Sequence, residues 1–455
     1  MPARDTRGPT ASGRHRRGGD DAAERQATYR EVFAVPEFRA LWIAHTLSLL
    51  GDQLSRVALS VLVFHQSHSA LLTGVTYALT YLPPLIGGPL LSGLADIVPR
   101  RRLMIICDVA RAVLIAAIAI PGLPFLVLCA LLFLAVLCGS PFSAARSAMM
   151  PDVLEGDKYV IGNAITNITM QGAQMIGFVA AGATVALIGT HWALFVDGVT
   201  FLVSALFVLV GVRERPLPPR EDDGDPSFWE VIRGGTKIVF GDPRLRALVL
   251  FAWLCGFVVV PEGLAAPYAA EFDNRPLTVG LLMAAMPTGM TIGGFLYTRF
   301  VKPTSRIRVM GWLAMWACAP MIVSVLHPPL WVVFVVWAVG GAGSAYQLAA
   351  NAAFVLIVPP RSRGLAFGLV QSGMQAVQGL AIAAAGALAD VLGPELVVGL
   401  SGAAGLVVAT ALAMAWSRIR GDIIAQMRET AEQRSADQAS AAEAETVTDP
   451  GSAPG

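Results

Sequence analysis

Between residues 38 and 417 the chain alternates long apolar runs with short polar or glycine-rich breaks. A helix crosses the hydrocarbon of a bilayer in about 20 residues. Runs near 40–64, 70–95, 102–121, 123–147, 159–188 and 191–212 reach that length, and six more follow near 245–270, 276–300, 306–326, 329–356, 362–390 and 394–417. A polar stretch over 213–244, with Pro216, Pro218, Pro219 and the cluster Glu221-Asp222-Asp223, separates the two sets. The pattern predicts an all-α membrane protein of twelve transmembrane helices, in two pseudo-symmetric six-helix halves over 38–212 and 245–417. The linker 213–244 would be cytoplasmic, and its Phe228-Trp229-Glu230-Val231-Ile232-Arg233 could lie on the membrane as an amphipathic helix. The polar tails 1–37 and 418–455 read as disordered.

Charge gives the pattern a direction. Of the 33 Lys and Arg residues, this layout puts only Arg275 in a loop on the side away from the termini. Basic loops stay in the cytoplasm during insertion, so both termini are expected there, in a multi-pass protein of the cytoplasmic membrane. The first 35 residues lack a short apolar core and cleavage site, so the first span would direct insertion.

Composition narrows the function. With 55% hydrophobic and 14% charged residues and 45 glycines, an ordinary soluble domain is excluded. The net charge of +1 is spread over loops and tails, which leaves no face for nucleic acid. Cys107, Cys129, Cys138, Cys255 and Cys318 fall inside apolar runs without metal-ligand spacing and read as small buried hydrophobes. No phosphate loop, Ser/His/Asp set or metal cluster is visible, so neither an enzyme, an ATP-driven pump nor a bound cofactor is expected.

Ionisable residues inside the spans are costly in lipid and therefore need a reason. Asp52 and Glu262 stand about two-thirds of the way along spans one and seven by helical rise. Either carboxylate could titrate during transport. Alternatively, Asp52 could simply be neutralised by Arg56 at i+4. Arg111 and Asp108, three apart, read as a self-satisfied pair, and Asp197 and Asp390 as helix caps or water-facing groups. Tyr77, Tyr81, Asn167, Gln171, Gln174, Gln371, Gln375 and Gln378 could line a cavity or glue helices together. His45 and His65 have packed or interfacial roles by default.

Two stretches carry a family likeness. Ser92-Gly93-Leu94-Ala95-Asp96-Ile97-Val98-Pro99-Arg100-Arg101-Arg102 between spans two and three is similar to motif A of the major facilitator superfamily, G-x-L-a-D-r-x-G-r-k. Gly172-Ala-Gln-Met-Ile-Gly177-Phe-Val-Ala-Ala-Gly182 in span five resembles its antiporter motif C, with Phe178 in place of proline, while the motif B arginine of span four is missing. With Gly51-Asp-Gln-Leu-Ser-Arg56, Ala145-Arg-Ser-Ala-Met-Met-Pro-Asp152 and Pro261-Glu-Gly263, the chain resembles the drug:proton antiporter branch, which includes macrolide efflux proteins and siderophore exporters.

The resemblance implies proton-coupled efflux of an amphipathic drug or secondary metabolite by alternating access, by a monomer in the lipid bilayer. A dedicated siderophore or metabolite exporter and a non-transporting sensor are the alternatives. It implies that Asp52 and Glu262 occupy equivalent places in the two halves and are proton-linked. Gly93, Asp96, Arg100 and Arg101 would form a switch loop that meets Arg146 in a charge cluster with Asp152.

Overall fold

The computed structural model describes residues 28–91, 94–215, 228–359 and 362–448, which form helices joined by short turns with no strand among them. Eleven helices are long and apolar enough to cross a membrane. In chain order the helices at the predicted places are α1 Pro36–Ser67, α2 Ala70–Gly87, α3 Arg100–Ile118, α4 Phe125–Val153, α5 Asp157–Ile188 and α6 Thr190–Gly211. After the linker come α7 Pro243–Ala270, α8 Pro276–Phe300, α9 Ser305–Leu326, α10 Leu330–Ile357, α11 Arg363–Leu392 and α12 Pro394–Thr448. The exception is α3, because every 18-residue window in it holds Arg101, Arg102, Asp108 and Arg111. It still packs against α4 and α6 as a member of the first half.

Several helices are broken where prolines remove an N–H and crowd the preceding turn. α7 is the most interrupted, with breaks at Leu254, Val259 and Leu264, and Glu262 lies on its short piece Val260–Gly263. The sequence differs from the structure mainly at the ends. A short helix, Tyr29–Ala34, closed by a Thr28–Glu31 capping box, stands within the predicted N-terminal tail. α12 runs to Thr448, past the tail boundary predicted at 418, because the Ala-, Glu- and Gln-rich sequence favours helix. The linker carries a helix, Phe228–Gly241, that packs on α11.

The turns farthest from the linker expose the internal duplication. Each contains a left-handed residue: His68, Gly122 and Gly189 in the first half, Asn274, His327 and Gly393 in the second. Helix crossings keep the same register. Gly74 is six residues after His68, and Gly280 six after Asn274; Gly182 is seven before Gly189, and Gly386 seven before Gly393. These glycines form two equivalent contacts between the halves. A Cβ on Gly182 would lie 2.8 Å from the Pro276 carbonyl oxygen, and one on Gly386 would lie 2.7 Å from that of Ala70. Only glycine lets α5 approach α8, and α2 approach α11, this closely.

The two halves part toward the linker. One apolar core at the far end is shared by both halves, with Tyr77 and Phe178 packed alongside Tyr268 and Trp337. At the linker end the core splits in two, one around Phe38 and Met104, the other around Phe251 and Trp416. A Cβ added at Gly364 or Gly368, at that end of α11, would meet nothing within 4 Å. The molecule is therefore closed at the far end and open toward the linker.

Candidate functional site: a charged cavity between the halves

The opening leads into a cavity of about 620 Å³, walled chiefly by the first half. From α1 it takes His45, Ser48, Asp52, Ser55 and Arg56, from α3 Arg111, and from α6 Asp197 and Phe201. α4 adds Ser143, Arg146 and Ser147, α5 adds Asn167, and Gln375 of α11 is the second half's contribution.

The charges are satisfied across helices rather than along them. Arg111 pairs with Asp52, donates to Ser48 Oγ at 3.0 Å and lies over the Phe201 ring at 4.0 Å. Asp108, expected to neutralise Arg111, instead accepts from Ser204 Oγ at 2.6 Å. Asp197 is neither a helix cap nor solvent-facing: it is fully buried, bonded to Ser55 and to Thr200 Oγ1 at 3.3 Å. Gly51 makes this possible, because a Cβ there would occupy the space taken by the Asp197 carboxylate. The reason the nearest-neighbour pairings fail is packing. α6 packs against both α1 and α3, which brings the polar faces of the three helices together.

Arg56 turns away from Asp52's pairing with Arg111. Its guanidinium lies over Tyr81 at 5.4 Å and Tyr77 at 5.9 Å, and the Tyr77 hydroxyl donates to Glu262 Oε2 at 3.1 Å. Tyr77 thus links a cation of the first half to a carboxylate of the second. The register of the repeat corrects the expected equivalence of the two carboxylates: Arg56 is twelve residues before His68, and Glu262 twelve before Asn274. The position equivalent to Glu262 is Arg56, not Asp52.

The predicted switch loop divides. Gly93 and the side chain of Asp96 lie outside the described residues. Arg100 binds Asp152 and the Ala148 carbonyl, both at 2.8 Å, while Arg101 and Arg102 pair with Glu214 beyond α6. Arg146 does not join Asp152. Six residues apart on α4, they point about 120° from one another, and Arg146 faces the cavity instead.

Of the antiporter-like glycines, Gly177 faces Gln53 of α1, Gly182 meets Gly280, and Gly172 faces open space. Among the polar residues proposed for a cavity, Asn167 and Gln375 line it, while Tyr77 and Tyr81 are buried behind Arg56. Gln371 is exposed, and Gln171 and Gln174 are half-buried on α5. Asp390 does cap a helix, but across the junction: it accepts from Ser69 Oγ at 2.7 Å, Ala70 N at 2.5 Å and Leu71 N at 3.3 Å. Taken singly, Ser48, Ser55 and Ser204 were not legible as parts of this network. A signal existed, because Ser48, Asp52 and Ser55 on α1 and Asp197, Phe201 and Ser204 on α6 share helical spacing and so one face each.

A helical membrane bundle of two related halves, closed at one end around a charge-lined cavity, is the architecture of a membrane transporter. The chain belongs to the Major Facilitator Superfamily, whose sequence model matches residues 41–269 and 263–438. Efflux proteins are among its relatives. Macrolide efflux protein A of Streptococcus pyogenes is 24% identical over 281 residues, covering 60% of this chain and 68% of that protein. Multidrug efflux pump Tap of Mycolicibacterium fortuitum is 24% identical over 356 residues, covering 75% and 87%. The enterobactin exporter EntS of Shigella boydii serotype 4 (strain Sb227) is 23% identical over 265 residues, covering 57% and 62%. The fold is shared with a mutant of the nucleoside transporter NupG (TM-score 0.70, 16% identity, 84% of this chain and 99% of that one). It is shared too with a bacterial homolog of the human lysosomal transporter Spinster (TM-score 0.64, 16% identity, 84% and 96%).

Proposed function

We propose that this transporter is a proton-coupled exporter that carries amphipathic drugs or secondary metabolites out across the cytoplasmic membrane by alternating access. Its termini and linker lie in the cytoplasm, it acts as a monomer, and the proton gradient drives it without a cofactor. The observation that carries this reading is the Asp52–Arg111 ion pair on the wall of a cavity open at the linker end. The substrate enters there. A proton on Asp52 removes the charge that holds Arg111, and a proton on Glu262 alters its bond to Tyr77 across the junction between halves. The first changes the charge that the cavity offers to cargo, and the second loosens a contact between the halves, which links protonation to rocking.

Reconstituted in proteoliposomes with a pH gradient, the wild-type chain is expected to release protons when a transported drug is added. Glu262→Gln and Asp52→Asn should abolish that release while the protein stays folded. Normal coupling in both variants would sink the assignment. A dedicated siderophore exporter is the second reading, supported by the enterobactin exporters among the relatives. Expression in a strain stripped of its main efflux pumps separates the two: resistance to many unrelated compounds supports the first reading, protection against one compound the second.

A further inference from the structure

Three cations face the cavity, and they differ in how they are satisfied. Arg111 has Asp52 and Ser48. Arg56 has the rings of Tyr77 and Tyr81 and lies within electrostatic reach of Asp52 and Glu262. Arg146 has no carboxylate among the described residues, and its Nε is sealed from solvent without a hydrogen-bond partner. Asp152, the acid nearest to it along α4, is held by Arg100. Its charge is therefore left to face the cavity without a protein counter-ion.

Its surroundings suit an anion with an apolar body. Ser143, Ser147, Asn167 and His45 line the same cavity and can donate hydrogen bonds beside the guanidinium. Leu132 lies fourteen residues back along α4, about 20 Å deeper by helical rise, where Leu59 and Ile115 also face the cavity. Uncharged donors flank Arg146 at the linker end, the Asp52–Arg111 pair and Arg56 stand deeper, and Leu59, Ile115 and Leu132 close the wall beyond them.

We propose that Arg146 anchors the acidic group of the cargo, so that the substrate is an amphipathic organic anion. Its carboxylate, acidic phenol or phosphate sits at Arg146, and its apolar part lies against Leu49, Phe142 and Met170, about one helical turn away along the same wall. This rests on the cavity being the substrate site. A guanidinium forms paired, charge-assisted hydrogen bonds with such groups, and at Arg146 an amphipathic cation would meet like charge, Asp52 being already paired with Arg111.

The test measures equilibrium binding to the purified full chain in detergent, by fluorescence anisotropy, of three probes of one size: anthracene-9-carboxylate, its methyl ester and 9-(aminomethyl)anthracene. The carboxylate should bind tightest. Arg146→Gln should weaken it at least about tenfold and leave the ester unchanged, and Arg146→Lys should recover part of the loss. Equal weakening of acid and ester, tighter binding of the ammonium probe, or no carboxylate binding at millimolar concentration would overturn the proposal. Phosphatidylglycerol should compete no better than phosphatidylcholine. Competition by phosphatidylglycerol that disappears in Arg146→Gln would make a lipid headgroup the natural anion and remove the cargo assignment. Because binding is read without a gradient, loss of proton coupling with carboxylate binding intact would count against the exporter mechanism alone.

Discussion

At the far end the two halves are joined by a polar clasp, and removing it should favour opening there. Asp390 of α11 takes three hydrogen bonds from the start of α2, two of them from backbone N–H groups that have no partner inside their own helix. The repeat shows why the clasp is single. The positions equivalent to Asp390 and Ala70 are Ala186 and Pro276, so the mate crossing lacks the carboxylate and, at Pro276, the N–H that gives it the shortest bond. Asp390 is exposed, which limits its worth to that of a surface cap with its share of the helix dipole, about 1–2 kcal/mol. The bonds exist only while the far end is closed. Asp390→Ala should therefore raise the ratio of far-end-open to far-end-closed molecules by about 5–30-fold.

Thr278, buried at 4% on α8 beside the Gly182–Gly280 crossing, is a suitable reporter. In detergent, with the five native cysteines replaced, maleimide labelling of Thr278→Cys should quicken by that factor in Asp390→Ala and by less in Asp390→Glu. A parallel protein that keeps only Cys318, fully buried in the second-half core, should label at an unchanged rate. An unaltered rate at residue 278, or equal acceleration at both positions, would refute the clasp.

Other consequences follow from the same contacts. Arg111→Gln strands Asp52, whose side chain is 38% exposed, and should cost about 1–3 kcal/mol in thermal unfolding; adding Asp52→Asn should recover part of the loss, as a double-mutant cycle would show. Gly51→Ala drives a methyl group into the Asp197 carboxylate and Thr200, so it should lower thermal stability by about 1–3 kcal/mol and reduce transport. Hydrogen bonding from Arg244 holds the Asp242 carboxyl, which caps α7, below the ordinary aspartate range. The stabilisation is present above the unfolded-state value and lost as pH falls through the folded one. Asp242→Ala should therefore cost about 1 kcal/mol at neutral pH, and its melting temperature should converge with that of wild type only below about pH 4.

The helices were legible because crossing a bilayer demands apolar length, and length survives in sequence: Pro276–Phe300 begins and ends where the hydrophobic run does. Asp108, Arg111 and Asp52 show what was not legible. Inside one helix, the visible distances are three and four residues, so a sequence reading pairs Asp108 with Arg111 and Asp52 with Arg56. The real partners are 59 positions apart for Asp52 and Arg111, and 96 for Asp108 and Ser204. Only the packing of α6 against both α1 and α3 selects them. The register of the duplication is carried by the left-handed turns and glycine crossings at the far end, which an apolar run does not display. Turn geometry resists drift because few residues tolerate positive φ.

That register also explains how one duplicated helix came to serve two purposes. Equivalent positions on α1 and α7 hold opposite charges, Arg56 and Glu262, with Tyr77 between them, its ring under the cation and its hydroxyl on the carboxylate. Two carboxylates there would repel, and two arginines would leave both uncompensated. Opposite charges attract across the junction and so favour the closed far end in which they meet. Opening must therefore pull Glu262 from Tyr77 as well as Asp390 from α2, and a proton on Glu262 weakens the first of these attachments without touching the second.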